Sequence, residues 1–286
     1  QPMTPRHDLS GPVRRVVLVV LDGLRPDAIR RFELSTVARL AQRGASTLHA
    51  RTVSPSVTAC AMTSLLTGAT PDYHGVQSDQ FRLPRPKGTL HPLPRTLAAH
   101  SYPTSFFMAD VGLLMRPFAN QAASVMGVGE ARFAGDDAHA IVDAARRQLA
   151  SQRRGLVVMH WPDADRAGHE HGWMSEQYGR AARSMDRALG TVTELIDLND
   201  PSQMLVVLAD HGGGGVDPKD HNSDHPLDNV IPLIFAGGSI VHAPLPEPVS
   251  LLDVPATILW SLGVPRPASY AGRALTGILH ALPVAA

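Results

Sequence analysis

Two short stretches of the chain carry residue types that bind metal ions. Asp165-Arg-Ala-Gly-His169 sets a carboxylate and an imidazole four residues apart beside a glycine, so both could grip one ion from a single turn or loop. A solvated acid next to an unrelated histidine would give the same letters. Asp210-His211 is followed by four glycines, Gly212 to Gly215. Glycine is tolerated where backbone turns tightly or approaches a ligand, so this stretch reads as a metal-binding loop rather than a packing motif, with a flexible polar loop as the alternative. A third stretch, Pro55 through Gly68, places the Thr58 hydroxyl where a helix would begin. There Thr58 is either a helix N-cap or the attachment point of an anion held by the free amides of the first turn.

Such groups need a rigid frame. Val16–Leu21 is a continuous apolar run closed by Asp22-Gly23, the pattern of a strand buried on both faces. Leu156–His160, Met204–Ala209 and Ile231–Ala236 read the same way. Helix-like stretches lie between them at Ser35–Arg43, Ala59–Leu66, Asp136–Gln152, Ser175–Leu198 and Leu252–Leu262. Strands alternating with helices predict one doubly wound, mostly parallel α/β domain spanning residues 1–286. Ligands of such sheets bind beyond the carboxyl ends of the strands, and Asp22, Asp165 and Asp210 each follow a predicted strand. Residues 81–136, which include the Pro-rich Leu83–Pro94 and the stretch Gln121–Asp136, read as loops or a small cap; Gln1–Gly11 is expected to be disordered.

Composition narrows the partners. Twenty-six basic residues balance 26 acidic ones, so the overall field favours neither nucleic acid nor an anionic membrane. A single cysteine, Cys60, excludes an intrachain disulfide and a thiolate zinc cluster; a metal site must use carboxylates and the 14 histidines. Cys60 itself reads as a small buried residue. The longest apolar runs are too short to span a bilayer, and Gln1–Gly11 lacks the core of a signal peptide. The expectation is a cytoplasmic protein, or a periplasmic or secreted one had a leader been removed.

In order along the chain, six segments resemble the alkaline phosphatase superfamily, in its type I phosphodiesterase/nucleotide pyrophosphatase branch. They are Val16-Val-Leu-Val-Val-Leu-Asp22-Gly-Leu-Arg-Pro26, Pro55-Ser-Val-Thr58 through Leu65-Leu-Thr-Gly68, Pro71-Asp-Tyr-His74-Gly75, Asp165-x-x-Gly-His169, Ala209-Asp210-His211-Gly212, and His221 standing eleven residues before Pro232. Val249 through Gly263 looks like the closing helix of that family. The resemblance implies an alkaline-phosphatase-like fold and a phosphoester hydrolase with two divalent ions, zinc by preference, manganese or iron otherwise. It assigns Asp165, His169 and His221 to one ion, and Asp22, Thr58, Asp210 and His211 to the other, with Thr58 as nucleophile. His225 lies on the same loop as His221 and competes for its place. His74 and His171 read as structural or supporting.

The family pattern also locates a departure. Relatives place an asparagine twenty-one residues after the nucleophile to bind a phosphoryl oxygen, whereas this chain has Asp79. An ionised Asp79 would repel substrate; it is protonated, turned away, or replaced in that role by Gln77, Ser78 or Gln80. Three carboxylates and one alkoxide neutralise two divalent ions, and the chain has just two lysines, Lys87 and Lys219. Arg116, Arg132 and Arg166 remain as possible cations. A monoanionic diester is therefore easier to accommodate than a dianionic monoester, with a phosphomonoesterase or phosphonate hydrolase as the alternative. A sulfatase is disfavoured because no Cys/Ser-x-Pro-x-Arg segment is present. A non-catalytic metal- or ligand-binding domain is the more distant alternative. Phe81, Phe106, Phe107, Phe118 and Trp173 could stack on a base but read first as core or rim. No partner beyond a small-molecule substrate is implied.

Overall fold

The structure is a computed structural model and describes residues 12–80 and 85–280. The expectation for Gln1–Gly11, like the reading of Phe81, lies outside the described residues. β1 (Arg15–Leu21) is buried at all positions, as the continuous apolar run requires. Then come α1 (Pro26–Arg31), α2 (Ser35–Arg43), β2 (Ala45–Arg51), α3 (Thr58–Thr67), α4 (Pro71–His74) and α5 (Leu93–Ala98). Next are β3 (Thr104–Met108), α6 (Arg116–Val125), β4 (Glu130–Phe133), α7 (Ala138–Ser151), β5 (Gly155–Trp161) and α8 (Asp163–His171). The chain closes with α9 (Glu176–Leu195), β6 (Gln203–Leu208), α10 (Pro226–Asn229), β7 (Val230–Ala236), β8 (Ala243–Pro244) and α11 (Asp253–Ser261).

The eight strands form one sheet in the order β4-β3-β5-β1-β6-β7-β2-β8. β1 pairs in parallel with both β5 and β6, and β3 in parallel with β4 and β5; β7 runs antiparallel to β6 and to β2. Helices α2, α7 and α8 each pack against α9, and α4, α5 and α11 each pack against α3. The sheet is thus mixed but mostly parallel, as expected. Apolar strands β1, β5 and β6 occupy its middle because a parallel strand is covered on both faces.

Four strands escaped the sequence reading. β2 is polar and carries a register shift between Thr47 and Ala50, β3 and β4 have five and four residues, and β8 two. Such pieces hold too few apolar residues to announce themselves. β3 and β4 fall inside 81–136, where loops or a cap were expected, and they extend the main sheet instead. What lies between them is an excursion bearing α6, a helix without a buried residue.

Candidate metal centre

The register of the central strands brings their ends level. Leu21 pairs with Trp161, and Val20 with Leu208. Asp22, one residue past β1, and Asp210, two past β6, therefore emerge side by side. α8 starts directly after β5, and its Asp165 amide donates to Asp22 O at 3.0 Å. Gly23 makes this approach possible: its φ is +73°, and a Cβ there would lie 3.0 Å from Asp165 Cα. Asp165 and His169 then share one face of α8, one turn apart, with His169 Nε2 at 3.3 Å from Asp165 Oδ1.

Three histidines are oriented in the same way. Nδ1 of His169 meets Lys219 O at 2.8 Å, Nδ1 of His211 meets Gly212 O at 2.7 Å, and Nδ1 of His221 meets Ser56 O at 2.5 Å. A carbonyl can only accept, so each Nδ1 carries the proton and each Nε2 presents its lone pair inward in the neutral ring. This is the arrangement of a metal-ligating imidazole held from behind. His221 Nε2 lies 3.5 Å from Asp165 Oδ1, and His211 Nε2 lies 3.1 Å from Asp22 Oδ1. The His211 and His221 rings stack at 3.6 Å.

Thr58 is the first residue of α3, not its cap; Val57 occupies the cap position, without a side-chain bond. The Thr58 hydroxyl instead stands 3.0 Å from His211 Nε2 and 3.5 Å from Asp22 Oδ1. All seven sequence candidates, Asp22, Thr58, Asp165, His169, Asp210, His211 and His221, thus lie in one cluster. His225 does not join it: its Nδ1 accepts from Leu227 N and caps α10. His74 is buried beneath α3, bonded to Ser64 Oγ and Val76 N, and His171 faces Glu170.

The structure bears on one of the three alternatives left open for Asp79. Asp79 has not turned away: its Oδ1 accepts from the Ala59 amide at 2.9 Å, in the first turn of α3. Gln77 donates to Asp72 and points elsewhere, while Ser78 is half-buried on the same loop. Arg116 pairs with Asp110, Arg132 with Glu130, and Arg166 donates to Asp136 O. Cys60 is buried, and burial together with the Asp79 charge pushes its thiol up to about 12, which leaves it unreactive.

The four glycines after His211 have a different role from the one expected. A Cβ on Gly213 would sit 2.1 Å from the Trp173 ring. The run is therefore partly a packing device that admits Trp173, which in turn meets the His169 ring edge-on at 5.1 Å and donates to Gly23 O. Tyr178 Oη also donates to Gly23 O and receives the Arg25 amide, and Asp228 accepts from Gly215 N and Ser223 N. Sequence reading had no signal for Tyr178 or Asp228, whose roles exist only across distant segments. It also passed over His160, which lies inside a strand pattern: its Nε2 is 3.2 Å from Asp22 Oδ2 and 3.9 Å from Asp210 Oδ2.

The protein's own charges show what the cluster attracts. Burial disfavours the charged form of His211, yet Asp210 and Asp22 raise its pKa well above the ordinary value. Burial likewise opposes protonation of His160, and Asp22 and Asp210 still lift it to about 10. The hydrogen bond to Asp165 raises His169 to about 9. Asp210 is held below the usual carboxylate range: burial pushes it up, but the His211 charge outweighs that. Protons and divalent cations compete for such sites. Asp165 Oδ1, Asp210 Oδ2 and His160 Nε2 are buried without a hydrogen-bond partner, and each belongs to a trio of potential ligands within 4.8 Å of one another. Buried acceptors left unpaired are costly, so this oxygen and nitrogen set fits divalent ions that such ligands bind.

Comparison with known proteins agrees with this geometry. Residues 16–92 match the type I phosphodiesterase/nucleotide pyrophosphatase family, and residues 120–266 match the metalloenzyme superfamily. The 2,3-bisphosphoglycerate-independent phosphoglycerate mutase 2 of Methanosarcina barkeri is 28% identical over 142 residues, covering 48% of this chain and 26% of the mutase. The chain thus spans about a quarter of the length of the curated relatives it matches. The lipoteichoic acid synthase LtaP from Listeria monocytogenes superposes with a TM-score of 0.67 at 16% identity, over 94% of this chain and 76% of that one. Murine ectonucleotide pyrophosphatase/phosphodiesterase 5 gives 0.67 at 12% identity, over 88% and 96%. With strand-end ligands, inward-facing imidazoles and both family patterns in their expected order, the chain belongs to the metalloenzyme superfamily of alkaline-phosphatase-like enzymes.

Proposed function

We propose that this protein is a phosphoester hydrolase of the phosphodiesterase type, with Thr58 as its nucleophile. The observation that carries the reading is the Thr58 hydroxyl at the N-terminus of a buried helix, within 3.5 Å of both His211 and Asp22. Asp165, His169 and His221 would hold one divalent ion, and Asp22, Thr58, Asp210 and His211 a second, zinc being the best match for these donors. When bound, such ions lower the pKa of the hydroxyl and neutralise charge on the phosphoryl and leaving oxygens.

The chain's own residues do the rest. α3 fixes Thr58 in position, so its Oγ1 forms a bond to phosphorus as the ester P–O bond breaks. The phosphothreonine thus formed is released by water, which restores the hydroxyl; two displacements replace one difficult step. Trp173 shields the His169 and His221 rings and holds the Gly23 carbonyl, which keeps Asp22 in register with Asp165. Asp79 on the Ala59 amide and the engagement of Arg116, Arg132 and Arg166 elsewhere leave few positive groups to receive a dianion. That favours a monoanionic diester over a monoester or phosphonate. The murine neighbour in complex with AMP is consistent with a nucleotide-like ester.

Thr58→Ala should lower turnover of bis-p-nitrophenyl phosphate by at least ~10³-fold, the scale of losing a covalent nucleophile, when assayed at metal concentrations that saturate both sites. Near-normal turnover by the variant would remove Thr58 from this role. Parallel assays with p-nitrophenyl phosphate and phosphonoacetate test the substrate class, and faster cleavage of either would displace the diester reading.

A further inference from the structure

His160 has no place in the seven-residue set, yet it is built into the same cluster. It is the sixth residue of β5 and pairs across the sheet with Val20 of β1, which in turn pairs with Leu208 of β6. Alternate residues of a strand share a face, so His160 projects on the same side as Asp22 and Asp210. Its side chain is 8% exposed, and its Nε2 finds no hydrogen-bond partner. Asp210 Oδ2, equally buried, is also unpartnered. The ion-pair partners of Asp22 and Asp210 are histidines, His160 and His211.

Asp22 presents two different oxygens. Oδ1 faces His211 Nε2 and Thr58 Oγ1, and Oδ2 faces His160 Nε2 at 3.2 Å. An ion with bonds of ~2.0–2.2 Å spaces its ligands by roughly 3 to 3.6 Å. The 3.2 Å and 3.9 Å separations of His160 from the two carboxylates match or lie near such an edge. The 3.2 Å contact to Asp22 is an ion pair without hydrogen-bond geometry, and Asp210 at 3.9 Å lies beyond hydrogen-bond reach. The geometry points to His160 as an additional ligand of the ion held by Asp22 and Asp210, giving that ion a second imidazole. The inference rests on the two-ion reading of the centre. It makes the Asp22/Asp210 side the more crowded of the two, with five protein ligands against three, and leaves the Asp165/His169/His221 side open for water or substrate oxygen.

The test measures metal rather than activity. Chelator-stripped wild type, His160→Ala, His160→Gln and the control His225→Ala are titrated with Zn²⁺ and with Co²⁺. Stoichiometry is read by elemental analysis, folding by circular dichroism, and coordination by the Co²⁺ visible bands, which strengthen as coordination number falls. Wild type and His225→Ala should bind two ions. The His160 variants should keep one ion at wild-type affinity and hold the other more than ~100-fold more weakly, beyond the 10–100-fold typical of losing an outer hydrogen-bonding partner, with stronger Co²⁺ bands. Two ions at unchanged affinity, or a smaller loss with an unchanged Co²⁺ spectrum, would overturn the assignment. His160→Gln keeps a side chain of polar character should the alanine variant fail to fold. Absence of ions from wild type would instead defeat the two-ion reading itself, so the two failures are distinguishable.

Discussion

At the scale of single residues, a carboxylate stands where the family resemblance implies a neutral amide. Asp79 accepts from the Ala59 amide, one of the donors at the start of α3 that could otherwise face a phosphoryl oxygen. Asp79→Asn removes the charge, keeps an acceptor for Ala59 and adds a donor. It should raise kcat/KM for a diester by ~10-fold, about 1.4 kcal/mol of transition-state stabilisation. Steady-state kinetics showing no gain would mean that the Asp79 charge does not oppose the substrate. His74 illustrates a purely structural histidine. Val76 N donates to its Nδ1, so Nε2 must carry the proton that goes to Ser64, and burial holds the ring's pKa down at about 4. Its unfolded pKa is ~6.5, so between ~4 and ~6.5 the unfolded chain binds more protons than the folded one. The stability His74 contributes is present above the upper value and lost as pH falls through the window. Melting temperatures between pH 7 and pH 4 should drop less steeply in His74→Gln than in wild type. Parallel slopes would show that His74 is not the group responsible.

At the scale of elements, long-range side chains substitute for local signals. α2 begins at Ser35 with Leu34 in the cap position and no local side-chain cap. Its first amides, Thr36 N and Val37 N, instead donate to Asp186 on α9 at 3.1 and 2.8 Å. Asp186→Ala leaves two buried amides unpaired and should cost about 1–3 kcal/mol. A thermal melt should fall by several degrees, with Asp186→Asn intermediate, at roughly 2–4 °C per kcal/mol for a chain of this size. An alanine variant that melts with wild type would show that the cap is dispensable. The same logic explains why α2 was legible while its cap was not: the apolar spacing of Val37 and Leu40 is local, and Asp186 lies about 150 positions away. β3 and β4 were illegible for a related reason. The five residues of β3 gain their structure from pairing with β5, and the four of the edge strand β4 from pairing with β3, not from their own pattern.

At the scale of the whole molecule, the centre gathers charge from the ends of the three central strands and from α8, and the fold bears that cost. Asp22 and Asp210 are almost wholly buried, so an ion bound between them would stabilise the folded state by mass action, by ~4 kcal/mol at a thousand times its Kd. Chelation should therefore lower the melting temperature by many degrees, and excess Zn²⁺ should restore it; calorimetry with and without EDTA that gave superimposable scans would argue against resident ions. A cavity lined by Arg39, Arg43 and His242 opens near Ala236, where β7 meets the start of β6, and shares no residue with the centre. No helix among the described residues is long and apolar enough to cross a membrane. The sequence by itself determined strands β1, β5, β6 and β7 and helices α2, α3, α7, α9 and α11, because their apolar patterns are local, whereas the seven candidate ligands rested on strand-end positions together with a family resemblance whose motifs keep their order along the chain. Only the tertiary structure placed His221 in the cluster and His225 outside it, kept Asp79 on the Ala59 amide, turned the glycine run into a seat for Trp173, and brought His160 into the cluster. Each of these depends on where two distant segments meet, and strand register and helix packing set that distance.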